Sequence, residues 1–361
     1  MRFLVNLHLR IKKSKVESLA QAAGNTVFGA KITTTESMKA MILAAGFGTR
    51  LFPLTIDRTK PAIPFLGKPL VGYVAEYIAR FGFKEVVVNL HHQPASVIGA
   101  LGDGSDFGVK IHYTLEEPDI LGTAGALDNA RHLLENETFL IVNGKIITDI
   151  DISEAVETHR RTGALATMVL KENPRRERFT VVDTEDGLVT GFGGFPGPDN
   201  MTGSAPLMFT GIHILEPAVF EYIERGVYAD IVQTFYRNAI PDGKKIAAHV
   251  AGGSWYELST IPRYLDISLA MMKSGTVCMG DGCRIAESAA IGNSVLWDDV
   301  EIGEDVRLDR TIIADGVKIE NGAVFENAAI VRAEMLSHTS QIPEKALKGE
   351  YIGENYVVPL I

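Results

Sequence analysis

The sequence predicts an α/β protein in which a doubly wound, mostly parallel sheet is followed by a C-terminal left-handed parallel β-helix. Two rhythms carry that prediction. From Ala40 onward short apolar runs alternate with amphipathic stretches of helical spacing, and after Gly275 apolar residues recur six apart. Strands separated by helices need crossover connections and therefore pair in parallel. An apolar residue at every sixth position supplies one inward side chain per face of a triangular coil, a register from which an α-helix would drift.

Taken in order, AMILAA is a buried strand and PLVGYVAEYIARFG a helix with Val71, Val74, Tyr77, Ile78 and Phe81 along one side. KEVVVNL and VKIHYT read as strands, TAGALDNARHLL as a helix, TFLIVNG as a strand, SEAVETHRRTG as a helix and ALATMVLKE as a strand. TVVDTEDGLVTGFGG alternates apolar and polar residues around Glu185, Asp186 and Gly187, the pattern of a hairpin. GFGGFPGPDNMTGSAP, rich in Gly and Pro, is a loop before LMFTGIHIL returns to the core as a strand. Helical spacing resumes from Ala218 to Arg225 and from Arg263 to Met272. The six-residue step then links Ile285, Ile291 and Trp297, next Ile302 and Leu308, and finally Ile313, Ile319, Phe325 and Val331, with one-residue slips between blocks. Ala289, Val295, Val306, Val317 and Ala323, small or β-branched, follow four positions after several of these. The division expected is an N-terminal extension over residues 1–37, an α/β domain over 38–274, and the β-helix with its tail over 275–361.

At 361 residues and 46% hydrophobic, the chain can bury two cores. Its net charge of -10 comes with no basic block, which excludes a polyanion track for nucleic acid, so a phosphate-bearing ligand must be held by local groups. Cys278 and Cys283 offer no disulfide framework, which fits a reducing cytoplasm. No run is long and apolar enough to span a bilayer, and the first residues lack the apolar core of a signal peptide.

The stretch AAGFGTRLFPLTIDRTKPAIPFLGKPL carries the chemistry. Gly46 and Gly48 follow a buried strand, where absent side chains let backbone N–H groups approach phosphate oxygens. Arg50 adds a permanently charged planar donor suited to a leaving pyrophosphate, and Lys60, followed by Pro61, a point charge for the reacting α-phosphate. A bare G-x-G is most often only a turn; the long string is more specific.

This string resembles the nucleotidyltransferases that join a nucleoside triphosphate to a sugar 1-phosphate, whose Gly-rich turn runs into T-R-L-x-P-L-T and then K-P. Gly46 to Thr55 and Lys60-Pro61 match it, and the resemblance extends from about Met38 to the C-terminus. It implies a Rossmann-like nucleotidyltransferase domain, closest in pattern to mannose-1-phosphate guanylyltransferase-like proteins. By that resemblance Leu43, Ala45 and Gly46 flank base and ribose, Gly48, Thr49 and Arg50 hold the triphosphate, and Lys60 meets the α-phosphate. EEPDILGTAGAL matches the family's base-reading loop, with Glu117, Gly122 and Thr123 in the reading positions. A carboxylate is acceptor-only and complements the N–H donors of guanine, whereas a Gln amide suits uracil or thymine better, so GTP is the expected nucleotide. A loop carboxylate left in solvent is the competing reading of Glu117.

The pattern also breaks. Where the family carries a Mg²⁺-ligating Asp after V-N-G, this chain has Lys145, whose ammonium cannot ligate the ion and can instead reach a phosphate. Asp149 and Asp151 lie roughly 13–20 Å further along an extended chain and are no obvious substitutes. In the family's W-x-D-x-G motif Glu257 replaces Asp and remains the expected ligand for Mg²⁺, with Ser259 in place of Gly. On the sugar side the family's E-K-P aligns with Gly194, Phe195 and Pro196, its aromatic-Gly pair with Phe179 and Thr180, while Thr210 and Gly211 keep the family form; Thr180, Thr210 and Gly211 are the expected sugar-binding positions. Arg175, Arg176 and Arg178 either recruit a sugar phosphate or belong to a solvated loop.

Two function classes follow. One is an enzyme transferring a nucleoside monophosphate to a sugar 1-phosphate, with Arg50, Lys60 and Lys145 as its catalytic cations. The other is a regulatory subunit of the same fold that binds nucleotide sugars without turnover. Acyl transfer on the coil is disfavoured because no His occurs between Ile285 and Val331. The β-helix, with flat faces and open ends, is expected to make the protein a homo-oligomer.

Overall fold

The computed structural model describes residues 38–195, 204–338 and 341–360; the expected extension over 1–37 and Pro196 lie outside the described residues. Two compact units are present. Among the described residues, the sheet unit comprises residues 38–47 and Leu70–Glu257, and the coil unit Gly48–Pro69 with the residues from Leu258 onward. The segment Gly48–Pro69, which the linear division places with the sheet, thus groups with the coil. The cause is visible within that unit. Tyr264 donates its hydroxyl to Pro64 O at 2.5 Å and meets Phe65 edge-on, and the Arg58 guanidinium pairs with Asp315 and lies 5.3 Å over the Trp297 ring.

The sheet unit contains β1 (Lys39–Leu43), α1 (Leu70–Arg80), β2 (Glu85–Leu90), α2 (Pro94–Leu101), β3 (Lys110–Leu115), α3 (Gly122–Asn129), α4 (Arg131–Leu134), β4 (Phe139–Asn143), β5 (Ile146–Thr148), α5 (Ile152–Thr162), β6 (Ala166–Glu172), β7 (Val182–Glu185), β8 (Leu188–Phe192), β9 (Leu207–Leu215), β10 (Ile246–Val250) and β11 (Trp255–Glu257). Nine strands form one sheet in the order β3-β2-β1-β4-β9-β6-β10-β8-β7. β1, β2, β3 and β4 are mutually parallel and β10 is parallel to β6, whereas β9 runs antiparallel to both β4 and β6. Strand order reverses between β1 and β4, which makes their carboxyl ends the topological switch point where ligands of such sheets sit. α1 buries Val71, Val74, Tyr77 and Ile78 as its spacing requires. The hairpin β7–β8 turns at Asp186 (φ 50) and Gly187 (φ 75), both left-handed as a two-residue turn of this class demands.

Three departures from the sequence reading have local causes. The helix expected over TAGALDNARHLL splits at Ala130, whose ψ of 4° leaves the helical range. The helical spacing at Ala218 becomes a 3-10 helix, Pro217–Tyr222, closed by i to i-3 bonds. α2 was not foreseen because PASVIGAL has no apolar stripe: it buries Val97 and Leu101 while Ile98 stays exposed.

In the coil unit, α6 (Ile261–Met271) precedes parallel strands whose partners lie 17 residues apart, as in the Thr311 N–H to Ser294 Oγ and Asp298 N–H to Asp315 Oδ1 bonds. The coil is a left-handed hexapeptide β-helix. Its rungs stack Ile285 on Ile302 and Ile319, Ile291 on Leu308 and Phe325, and Leu296 on Ile313 and Ile330. The third rung corrects the sequence register, which assigned it to Trp297 and Val331. Both pairs of neighbours are apolar and buried, and the stacking shows which member of each pair carries the rung. Asn293, Arg310 and Asn327, one coil apart, turn the same corner at φ 44, 52 and 49. The C-terminal end of the stack is not open along this face. Asn355–Pro359 pairs antiparallel with Val324–Arg332, and Glu350–Ile352 pairs antiparallel with Asn355–Pro359.

Candidate active site

Buried polar groups tie together the strand ends at the switch point. Asn89, near the end of β2, accepts the Ala44 N–H at 2.8 Å and donates to Glu116 Oε1 at 2.6 Å. The other Glu116 oxygen accepts the Leu121 N–H at 2.7 Å, and the Glu116 carbonyl lies 2.9 Å from His91 Nδ1. Both side chains are buried, Glu116 completely. Across the reversal, the Gly144 N–H donates to Leu43 O at 2.9 Å, and a Cβ on Gly144 would stand 2.8 Å from that oxygen. Leu43 O and Ala44 N–H are therefore committed to the scaffold, and Ala45 is buried behind them. Gly46 is exposed, with open space where a Cβ would be. Phe47 leans out of the turn with its ring 5.5 Å from those of His91 and His92. Burial, and then the charge of His91, lower the His92 pKa.

Glu117, the residue expected to read the base, is exposed beside the buried Glu116. The other two residues assigned to this loop are spent on docking it. A Cβ on Gly122 (φ 74) would lie 2.6 Å from Ala229 O, the same carbonyl that accepts the Ala124 N–H at 2.8 Å. The Thr123 hydroxyl donates to Asp230 Oδ2 at 3.3 Å and accepts the Ile231 N–H at 2.8 Å.

The two positions that break the family pattern meet. β5 and β11 pair antiparallel with Glu257 opposite Ile146, which sets Lys145 beside Glu257, and the Lys145 ammonium is ion-paired with Glu257 Oε1. The Glu257 side chain is 11% exposed and that of Lys145 33%, so the carboxylate is nearly buried and the lysine partly exposed. Asp149 accepts the Ser254 N–H, and Asp151 caps α5 by accepting the Ser153 N–H at 2.8 Å. Among the described residues no group of three His, Cys, Asp or Glu side chains is placed to hold a metal ion. One carboxylate already neutralised by an ammonium does not fit Mg²⁺, which requires near-octahedral oxygen ligands.

On the proposed sugar side, Gly211 (φ 79) leaves room for the Asn143 amide, whose nitrogen would lie 1.9 Å from an added Cβ. The Thr210 side chain is buried and donates to Val169 O at 2.7 Å, so only its backbone is available; Thr210 O accepts the Trp255 indole N–H at 2.9 Å. Trp255 in turn meets Phe179 edge-on at 5.4 Å, next to the exposed Thr180. Of the arginines, Arg178 stacks 4.7 Å over the Phe195 ring, and the loop is shaped by the buried Asn173, which bridges the amide and carbonyl of Glu177. Glu116, Asn89 and Trp255 escaped the sequence reading. Trp255 had a signal, being the first residue of the quoted WYELSTIP.

Within the coil unit, Gly48 is left-handed (φ 69) and packed: a Cβ would come 3.1 Å from Lys60 Cβ and 3.2 Å from Thr55 Cγ2. Its carbonyl accepts the Leu51 N–H at 2.8 Å and the Thr55 hydroxyl at 3.3 Å, which folds Thr49–Leu51 into a single 3-10 turn. Thr49 and Arg50 are exposed on that turn, and Lys60 opens a second, Lys60–Ala62, with Pro61 in its first turn. This unit thus brings Gly48 and Lys60 into contact. Among the described residues, none of the amides from Gly46 to Arg50 donates a hydrogen bond.

Known proteins resemble this chain in both its parts. The family model described as nucleotidyl transferase matches residues 39–274, and that described as GlmU-like, C-terminal hexapeptide matches residues 267–342. A UTP–glucose-1-phosphate uridylyltransferase from Synechocystis is 31% identical over 281 residues, covering 73% of this chain and 72% of that protein. An N-acetylmuramate alpha-1-phosphate uridylyltransferase from Neisseria meningitidis is 35% identical over 228 residues (63% and 95%), and a mannose-1-phosphate guanylyltransferase from Mycobacterium tuberculosis 29% over 284 residues (74% and 77%). Among solved structures, a putative glucose-1-phosphate thymidylyltransferase from Bacillus anthracis shares the fold, with a TM-score of 0.56 at 23% identity over 65% of this chain and 95% of that one. No helix among the described residues is long and apolar enough to cross a membrane.

Proposed function

The chain belongs to the nucleotidyl transferase family, and on that premise we propose that it transfers the nucleoside monophosphate of an NTP, GTP foremost, to a sugar 1-phosphate. The observation that carries the proposal is the turn Gly48–Arg50, in which Thr49 and Arg50 are exposed, Gly48 packs on Lys60, and the three amides donate no hydrogen bond among the described residues. Backbone N–H groups with nothing to bond, next to a guanidinium, are the complement of phosphate oxygens.

A phosphate oxygen of the sugar 1-phosphate attacks the α-phosphorus in line. The new P–O bond forms as the bond between the α-phosphorus and the bridging oxygen breaks, and pyrophosphate leaves with that electron pair. Lys60 neutralises the α-phosphate, and Arg50 together with the Gly48 and Thr49 amides takes the charge that develops on the leaving group. Catalysis then rests on positioning and fixed charge. The acceptor-only carboxylate of Glu117 supports guanine as the base, since N1–H and N2–H are both donors. The Phe179–Trp255 pair and the backbone of Thr210 and Gly211 supply the sugar side. A member of the mannose-1-phosphate guanylyltransferase type is the specific reading.

The test is pyrophosphate release from GTP, UTP and dTTP against a panel of sugar 1-phosphates. Arg50→Ala should lower kcat/KM by about 10²- to 10³-fold, the usual loss for one donor to a developing anion. Glu117→Gln should move the GTP/UTP ratio toward UTP. NTP binding without pyrophosphate release for any sugar would replace this reading with a binding subunit, and an unchanged ratio in Glu117→Gln would remove guanine selection by that residue.

A further inference from the structure

We propose that Lys145 stands in for the divalent cation: its ammonium, seated on Glu257, is the fixed positive charge of the site, and the protein holds no metal ion at that carboxylate. The inference rests on the nucleotidyl-transfer reading and deepens it.

Charge balance is the first argument. Two carboxylates and a divalent ion sum to zero, and so do one carboxylate and one ammonium. Replacing Asp by Lys opposite Glu257 therefore keeps the local net charge while exchanging a dissociable ion for a covalently tethered one. The ion pair takes one oxygen of Glu257 and offsets its charge, and the ammonium repels an approaching dication.

The scaffold keeps the ammonium there. Gly144 is bonded to Leu43 O, and the short β5–β11 ladder sets Glu257 opposite Ile146, so both partners are anchored within a residue of fixed backbone. Asp149 and Asp151 each give one oxygen to a local backbone amide, of Ser254 and Ser153, and among the described residues they join no group of three possible metal ligands. An ammonium carries three N–H donors. The lysine follows β4 by two residues and its side chain is one-third exposed, which puts it beside the strand ends where ligands of such sheets sit. An NTP can still arrive as its own magnesium chelate, in which case the ion belongs to the substrate.

The experiment separates this from the nucleotidyl-transfer reading by first using the metal alone. The full-length protein is titrated with Mn²⁺ in the absence of nucleotide and free Mn²⁺ is read by electron paramagnetic resonance. The wild type is expected to bind no Mn²⁺ below about 1 mM, the weak limit of protein cation sites. Lys145→Asp is expected to gain a site, and Lys145→Asp with Glu257→Gln to lose it again. Wild-type Mn²⁺ binding that disappears in Glu257→Gln overturns the proposal, and that arm needs no variant at position 145.

Binding of GDP-mannose and UDP-glucose is then measured calorimetrically in EDTA. The wild type should bind one of them there, with Lys145→Met weakened about tenfold or more, or by roughly 1.4 kcal/mol. Equal affinity in wild type and Lys145→Met, with the variant's melting curve unchanged, also overturns it. Should neither nucleotide sugar bind any variant with or without metal, the transfer reading fails, while the Mn²⁺ titration still decides whether the ammonium excludes a cation.

Discussion

Glu116 and Glu117 are adjacent, alike in chemistry and opposite in environment, and this makes their separation the sharpest stability test. Glu116 is fully buried and accepts at 2.6 Å from Asn89 Nδ2 and at 2.7 Å from the Leu121 N–H. Each hydrogen bond to a charged group contributes about 1.5–3 kcal/mol. Glu116→Ala deletes both and leaves two buried N–H donors facing a cavity, against which the relief of burying a carboxylate is set. The net expectation is about 2–5 kcal/mol of destabilisation, from two neutral donors left unsatisfied at about 1–3 kcal/mol each. Glu116→Gln keeps one acceptor but turns an NH₂ toward a donor, and should cost about 1–3 kcal/mol. The assay is urea unfolding followed by tryptophan fluorescence. The chain has two tryptophans, Trp255 in the sheet unit and Trp297 in the coil unit. A Trp297→Phe background therefore makes Trp255 report the sheet unit by itself. Glu117→Ala, exposed, should stay within about 0.5 kcal/mol. If Glu116→Ala unfolds at the urea midpoint of Glu117→Ala with the same m-value, the buried network contributes nothing and the reasoning fails.

Gly211→Ala places a Cβ 1.9 Å from Asn143 Nδ2 on a backbone at φ 79, and should cost about 1–3 kcal/mol or more; an unchanged melting temperature would refute it. Burial pushes the His213 imidazole down to about 3, beside the Tyr236 hydroxyl at 2.6 Å from Nδ1. The unfolded chain takes up that proton near pH 6.5, at which the folded state refuses it. The stability involved is thus complete above about pH 6.5 and falls by about 1.4 kcal/mol per pH unit on acidification toward pH 3. His213→Asn, which keeps a donor and an acceptor near Tyr236, should flatten that slope; parallel slopes in urea titrations across the window would sink the prediction.

The parts of this molecule that were legible in its sequence are those written in contiguous residues. The turn from Gly46 to Lys60 is one unbroken string, and α1 and α6 show their buried faces in their spacing. What stayed hidden depends on partners remote in sequence. Nothing in EEPD says which glutamate is buried, because the answer lies in Asn89 and in the turn at Leu121. Lys145 and Glu257 are brought together by strands of three residues each, too short to carry a period. The hydroxyls of Thr123 and Thr210 are engaged by Asp230 and Val169, partners that no local pattern announces. In the coil, Leu296 and Trp297 are both apolar, so the period alone left the register one residue loose.

The closing hairpin of the coil bears on what the protein can become in quantity. A solenoid that simply stops presents its last row of peptide groups to the next molecule, the geometry from which fibres grow. Here the chain doubles back, and Asn355–Pro359 meets that row running the opposite way, from Arg332 opposite Asn355 to Ala328 opposite Pro359. A neighbouring copy's first coil would find the seat taken along this face, and taken with the wrong polarity. A chain cut short before Glu350 uncovers that row and is the one expected to polymerise.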